Sequence, residues 1–275
     1  MKNSCVGFTQ GFHTESLAII GEGGYFDFYP KGFDPTIVHT DNIAFYERPF
    51  LKRTRQFYAG QYKTAFKPLK LKLKPKYFFP HHLCHAANAF QQSPYHSANI
   101  VVADSIGEWD TVTTWIASYD AYGFAKYKKT TNRSYPFSVG LFYSSISQLI
   151  GLKPNAEENI LVEMASKGIY NHILDSMLQD QLLYRNNHRG CLGMYPYYSK
   201  EDIAYNAQRV LENYLESYFK LRIPNCFSGG VAFNKTFIDK MRKKGYIIYV
   251  PENPGDAGSA IGAAALLYKK KIKSR

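Results

Sequence analysis

Cysteine is scarce in this 275-residue chain. The four present, Cys5, Cys84, Cys191 and Cys226, are scattered with no CxxC pair. A disulfide framework or a zinc knuckle is therefore not expected, and reduced thiols in a cytoplasmic protein are the simplest reading. Long apolar runs are missing too: none reaches the length of a membrane span, and the start lacks a signal-peptide pattern. No low-complexity segment or flexible interdomain linker interrupts the chain. Acidic residues are few, 22 against 34 lysines and arginines, for a formal charge of +12. Such a balance bears on partners and not on fold. The lysines cluster at 67–76, 126–129, 240–244 and 269–273, and the 23 tyrosines lie near many of them. Basic patches interleaved with aromatics suit a polyanion whose bases can stack; a solvated surface tuned for solubility is an equal reading.

What is present points to an ordinary α/β protein, one large domain or two lobes, with enough apolar residues (45%) for a substantial core. The most informative stretch runs from Pro80 to Phe90. It is patterned as a helix, and His81 and His85 are four apart, so both rings leave one face. Two imidazoles so placed suit a borderline divalent metal, although paired histidines on a half-apolar helix are equally compatible with core or solvated residues. The run Ile100 to Asp104 reads as a buried strand delivering a carboxylate into the next turn, and Asp256 opens a small-residue helix. Two histidines and two aspartates make a four-ligand set.

Elsewhere, strands are expected at 5–8, 17–20, 42–48, 100–104, 112–118, 126–128, 225–228 and 246–250, with helices over 138–151, 157–168, 200–219 and 259–267. Residues 171–198 read as irregular. Gly229 and Gly230 stand at a strand-to-helix junction, where backbone amides can approach a phosphate. Strand, glycine-rich turn and helix then recur at Gly255 to Leu267.

In this order the blocks resemble the Kae1-like domain of the O-carbamoyltransferases that act on nodulation factors and on aminoglycoside or cephalosporin antibiotics. That family's HHxxHAxSAFxxSPF block is similar to His81 through Phe90 followed by Ser93-Pro94-Tyr95, and its DGxGExxT block to Asp104 through Thr111. Its FYEKPxLK, GGVAxN and GDAGxAxGAA blocks are similar to Phe45–Lys52, Gly229–Asn234 and Gly255–Ala264. The resemblance implies the actin-like ATPase, ribonuclease-H-like duplicated fold, with two α/β lobes (1–105 with 250–275, and 106–249) around a nucleotide cleft. It implies that His81, His85, Asp104 and Asp256 bind a divalent metal, Fe2+ first, with Mn2+, Mg2+ or Zn2+ as alternatives. That ion would grip the phosphate of carbamoyl-adenylate, the donor made from ATP and carbamoyl phosphate. Gly229, Gly230 and Asn234 would contact the nucleotide, with Gly140 and Glu163 as further nucleotide-binding candidates. His13, in the turn matching the family's HHDS segment, is the candidate to assist the acceptor hydroxyl, a hydrogen-bonding turn residue being the alternative.

Departures are visible. Ser105 replaces the family's first glycine after the aspartate, and Tyr25 to His39 stands where a longer insert with an EER segment is usual. Glu163 replaces a lysine and is closer to the branch that transfers threonylcarbamoyl to tRNA adenosine. After the 259–267 helix only a basic tail follows, where relatives carry a YrdC-like domain; a separate YrdC-like carbamoyl-adenylate synthase is therefore expected as partner. The acceptor expected from the charge is a hydroxymethyl-pyrimidine nucleotide or nucleic acid, and from the family a sugar-type molecule. A nucleotide-binding scaffold without catalysis is the reading from another class.

Overall fold

A computed structural model describes residues 3–11, 14–154, 156–191 and 197–275. Two sheets repeat one plan. In the first, β1 (Cys5–Gln10), β2 (Glu15–Ile20) and β3 (Tyr25–Tyr29) form an antiparallel meander. Two parallel strands, β4 (Ile43–Phe45) and β5 (Tyr77–Phe78), then add to the free side of β1. Helices α1 (Pro49–Tyr58) and α2 (Tyr62–Ala65) connect them, and α3 (His81–Gln92) leads out of the sheet. The second sheet repeats the pattern with the meander β6 (Ser97–Gly107), β7 (Asp110–Tyr119) and β8 (Ala125–Ser134). Between β8 and the next strand run α4 (Val139–Leu149), α5 (Glu158–Ala165), α6 (His172–Tyr184) and α7 (Lys200–Glu216). Parallel β9 (Asn225–Ser228) joins β6, α8 (Lys235–Lys243) follows, and β10 (Ile248–Tyr249) closes the sheet. Helix α9 (Ser259–Tyr268) returns to the first sheet, where β11 (Lys273–Ser274) pairs with β3. Three antiparallel strands and two parallel ones, arranged 3-2-1-4-5 twice over, are the duplicated ribonuclease-H-like plan of actin-like proteins. The second sheet opens at Ser97, so β6 runs across the 105/106 lobe boundary drawn from the sequence.

The lobes meet through two helices. α9 is apolar on every side, because it is covered by β1 and β2 on one side and by α3 on another. Contact is close enough that a Cβ on Gly7 would sit 2.1 Å from the Ala260 carbonyl oxygen, and one on Gly262 would sit 1.8 Å from that of Cys84. The far side of α3 packs Ala86, Ala89 and Phe90 against Ile100 and Val102 of the second sheet.

Two segments differ from the expectation. Residues 171–198 contain a full helix: Asn171 caps α6 by accepting from the amides of Ile173 and Leu174, and Leu174, Leu178 and Leu182 form its buried stripe at four-residue steps. The 49–52 segment is not a turn but the start of α1, with Pro49 at the first helical position, where its missing N–H costs nothing.

Replacing Gly262 by alanine forces α9 away from α3 and should cost about 1–3 kcal/mol, the range for overpacking a closely fitted contact. Thermal unfolding would show a clear drop in midpoint; an unchanged midpoint would mean that the helices do not depend on this contact.

Candidate metal centre and cleft

His81 lies in the first turn of α3 and His85 one turn on, so the two Nε2 atoms come within 3.0 Å of each other. Both rings are buried. Asp104 reaches them from β6, at a bulge where pairing with β7 slips between Ala103 and Gly107, which re-aims the side chain. Asp256 opens the single 3-10 turn ahead of α9. Its Oδ1 stands 3.3 Å from His81 Nε2 and 3.5 Å from His85 Nε2, while Asp104 Oδ2 stands 3.2 and 3.4 Å from the same atoms. All four donor atoms lie within 4.8 Å of one another.

Surrounding contacts hold these groups in place. Asp104 Oδ1 accepts from the Ser105 amide at 2.8 Å and the Gly230 amide at 3.3 Å, which leaves Oδ2 for the imidazoles. His85 Nδ1 is 3.1 Å from the Pro254 carbonyl. A carbonyl only accepts, so Nδ1 carries hydrogen and Nε2 faces the carboxylates, the orientation a metal-ligating histidine needs. Gly229 has φ +94°, and a Cβ there would be 2.2 Å from the Ala103 carbonyl oxygen. Gly140 is equally tight, 2.7 Å from the Ser105 nitrogen. Both glycines let the backbone close on the Asp104 segment.

Charge explains why such a cluster needs a cation. Burial opposes protonation of His81, but Asp104 and Asp256 outweigh it and lift its pKa to about 10; His85 is raised by the same opposition. Burial also raises the carboxylates, and Asp104 disfavours charge on Asp256, yet the imidazoles prevail: Asp104 is held low and Asp256 falls to about 2. Two carboxylates this close demand positive charge between them. A mixed imidazole and carboxylate set of four donors fits a divalent ion of the iron, manganese or zinc type.

The cluster sits at a cavity of about 1400 Å³, lined by Asp104 and Asp256 with Gly140, Gly230 and Asn234. Asn234 caps α8 and pairs with Gln208. Gly229 stays behind the wall, its amide donating to the Pro254 carbonyl. The structure does not bring Glu163 to this cavity: its side chain is 73% exposed beside Lys167, whereas Glu158, Asn159 and Val162 of the same helix line the wall. His13 and Tyr195 lie outside the described residues. Tyr197 is exposed, and Tyr198 packs on the second-lobe core. Neither the 67–76 nor the 240–244 lysines line the cavity. Lys72 pairs with Glu15, Lys240 with Glu212 and Lys244 with Glu216. The cations that do line it are Lys52, Arg55 and Lys63, with Gln56 and His188 beside them. The sequence reading missed these residues. Their signal was the helical spacing of Lys52, Arg55 and Gln56, hidden when that segment was taken as a turn.

Residues 23–192 match the family model of the carbamoyltransferase N-terminus, well over half of the chain. The chain belongs to this carbamoyltransferase family. An uncharacterized protein of Synechocystis sp. is 29% identical over 238 residues, covering 74% of this chain and 38% of that protein. The chain thus spans about two fifths of that relative. Among solved structures, T. kodakarensis HypF superposes with a TM-score of 0.56 at 13% identity, over 97% of this chain and 48% of HypF. Component A of the (R)-2-hydroxyglutaryl-CoA dehydratase of Acidaminococcus fermentans gives 0.53 at 13% identity over 97% of both chains. At such identities these likenesses speak for the fold. No helix among the described residues is long and apolar enough to cross a membrane.

The electrostatics set a pH window. His81 is raised from 6.5, so its contribution to metal-free stability is full below pH 6.5 and is lost as pH climbs through about 10. Asp256 contributes above 3.8, and that share is lost as pH falls through about 2. Chelator-treated protein should therefore lose melting temperature between pH 7 and 10, and added Mn2+ or Fe2+ should restore it. Metal uptake should release protons and weaken roughly tenfold per pH unit for each proton displaced. Identical pH curves with and without metal would contradict the site. Asp256→Asn, at the half-exposed member, should lower bound metal at least tenfold with the fold intact, read by elemental analysis and circular dichroism.

Proposed function

We propose that this chain transfers a carbamoyl group from carbamoyl-adenylate to an acceptor hydroxyl. The observation that carries the reading is the convergence of His81, His85, Asp104 and Asp256 at a large cleft, in a chain of the carbamoyltransferase family. An alcohol is a weak nucleophile and free carbamate a weak electrophile, so the carbamoyl group needs a good leaving group, which adenylate provides. A divalent ion held by those four side chains, iron first and manganese, magnesium or zinc after it, supplies Lewis-acid polarisation of the donor's phosphate. Asp104 fixes this end of the cleft through the Ser105 and Gly230 amides. Gly230 and Asn234, on the second lobe, line the side on which the adenylate lies. His13, which follows β1 in sequence, accepts the proton of the attacking hydroxyl. The donor reaches the site from a YrdC-like synthase.

The net charge of +12 and the cationic wall of the cleft favour an anionic acceptor, a hydroxymethyl-pyrimidine nucleotide or nucleic acid, over a neutral sugar. Threonylcarbamoyl transfer to tRNA draws no support from Glu163, whose carboxylate stands at the surface.

Purified, metal-loaded protein incubated with carbamoyl-adenylate and hydroxymethyl-deoxycytidine or its nucleotides should give a product heavier by one carbamoyl group in mass spectrometry. His81→Gln should cut the rate at least 100-fold. Turnover only on a glycoside would replace the acceptor class. No turnover on any hydroxyl acceptor, with adenylate bound and metal present, would contradict the activity.

A further inference from the structure

Arg55 is the most unusual cation in the molecule. It is only 8% exposed, yet no carboxylate pairs with it. Its Nε donates to the Glu108 carbonyl at 3.2 Å, and neither Nη group has a protein acceptor among the described residues. The one carboxylate close by, that of Glu108, is already taken by Arg48. A buried guanidinium without a counter-ion is costly, and burial depresses its pKa accordingly. Gln56, next in α1 and 6% exposed, also lines the cavity, and its side-chain amide has no protein partner among the described residues. Lys63 of α2 lines the same wall and forms no ion pair there. Lys52, by contrast, is neutralised by Glu47 at 2.7 Å.

We infer that Arg55, Gln56 and Lys63 form an anion subsite on the first-lobe wall of the cleft, and that it takes the phosphate of a nucleotide acceptor. The guanidinium offers a planar fork that matches two phosphate oxygens, the amide adds a neutral donor, and the lysine adds charge at the mouth. Its place argues for the acceptor and not the donor. Gly230 and Asn234 line the cleft from the second lobe, whereas Arg55 and Lys63 stand on helices of the first. Arg55 is tied to the metal end through the backbone: it binds the Glu108 carbonyl, and neighbouring Gly107 packs on the His81 ring so closely that a Cβ would be 2.4 Å away. A cavity of about 1400 Å³ also exceeds the roughly 300–1000 Å³ of an ordinary single-ligand pocket, which leaves room for two substrates. His188, at the same wall, is held toward its neutral form by burial and then by Arg55, so it does not compete as a cation.

This subsite rests on the transfer reading for the identity of its ligand, but its test does not require turnover. Calorimetric titration without donor would compare 5-hydroxymethyl-deoxycytidine with its 5′-monophosphate and with a trinucleotide carrying the same base. The monophosphate should bind at least roughly tenfold tighter than the nucleoside, and the preference should weaken with salt. A trinucleotide that binds tighter still would assign the phosphate to a strand; one that binds more weakly would assign it to a free nucleotide. Arg55→Met should bring the ratio of nucleotide to nucleoside affinity close to one. Lys63→Glu, at an exposed position that does not threaten folding, should reduce it at least threefold and decides the matter if Arg55→Met is unstable. Equal affinity for nucleoside and nucleotide, or a preference unchanged by the folded variants, would overturn the subsite. A preserved Arg55-dependent preference without carbamoyl transfer would keep the subsite and remove the activity; transfer with equal affinities would do the reverse.

Discussion

Everything at the centre of this molecule depends on keeping two carboxylates and two imidazoles within a few ångströms of each other, away from water. Asp104 and Asp256 repel, and each loses solvation on burial. Only the imidazoles, protonated or joined by a cation, make their approach tolerable. The arrangement persists because each member is fixed by a separate piece of backbone. His81 and His85 are locked by one helical turn, Asp104 by a bulge and two amides, and Asp256 by the turn that opens α9.

The duplicated fold explains why these pieces meet. Each sheet needs a helix on the face toward its partner, and α9 and α3 fill those places back to back. Gly7 and Gly262 remove the side chains that would hold them apart. The metal candidates therefore stand at the seam between the lobes, where the cavity opens. A seam of this kind lets one wall serve the donor and the other the acceptor, and the placement of Arg55 opposite Gly230 and Asn234 follows from that division.

Much of this was legible in the sequence, for identifiable reasons. His81 and His85 advertise themselves through helical spacing, and Asp104 through an apolar strand ending in a carboxylate. The glycine pair 229–230 stood out because a strand-to-helix junction with so little side chain has few structural uses. Helix α6 was hidden, since its leucine stripe sits among exposed Ile173 and Met177, which blur the apolar face. Arg55 was hidden as well: in a segment with Lys52 and Arg53 an arginine looks like solvated surface, and only the packing of α1 against the β6–β7 turn shows that it is buried. The lysine clusters misled in the opposite direction. They are prominent in sequence, yet Lys72, Lys240 and Lys244 are occupied by local carboxylates.

The central claim is that one divalent ion is held jointly by residues of α3, β6 and the turn before α9. X-ray absorption spectroscopy of the protein loaded with iron under reducing conditions tests it most directly. The account predicts a first shell of nitrogen and oxygen only, with the multiple-scattering signature of two imidazoles. A shell of water oxygens without imidazole, or sulfur scattering from Cys84 or Cys226, would contradict it.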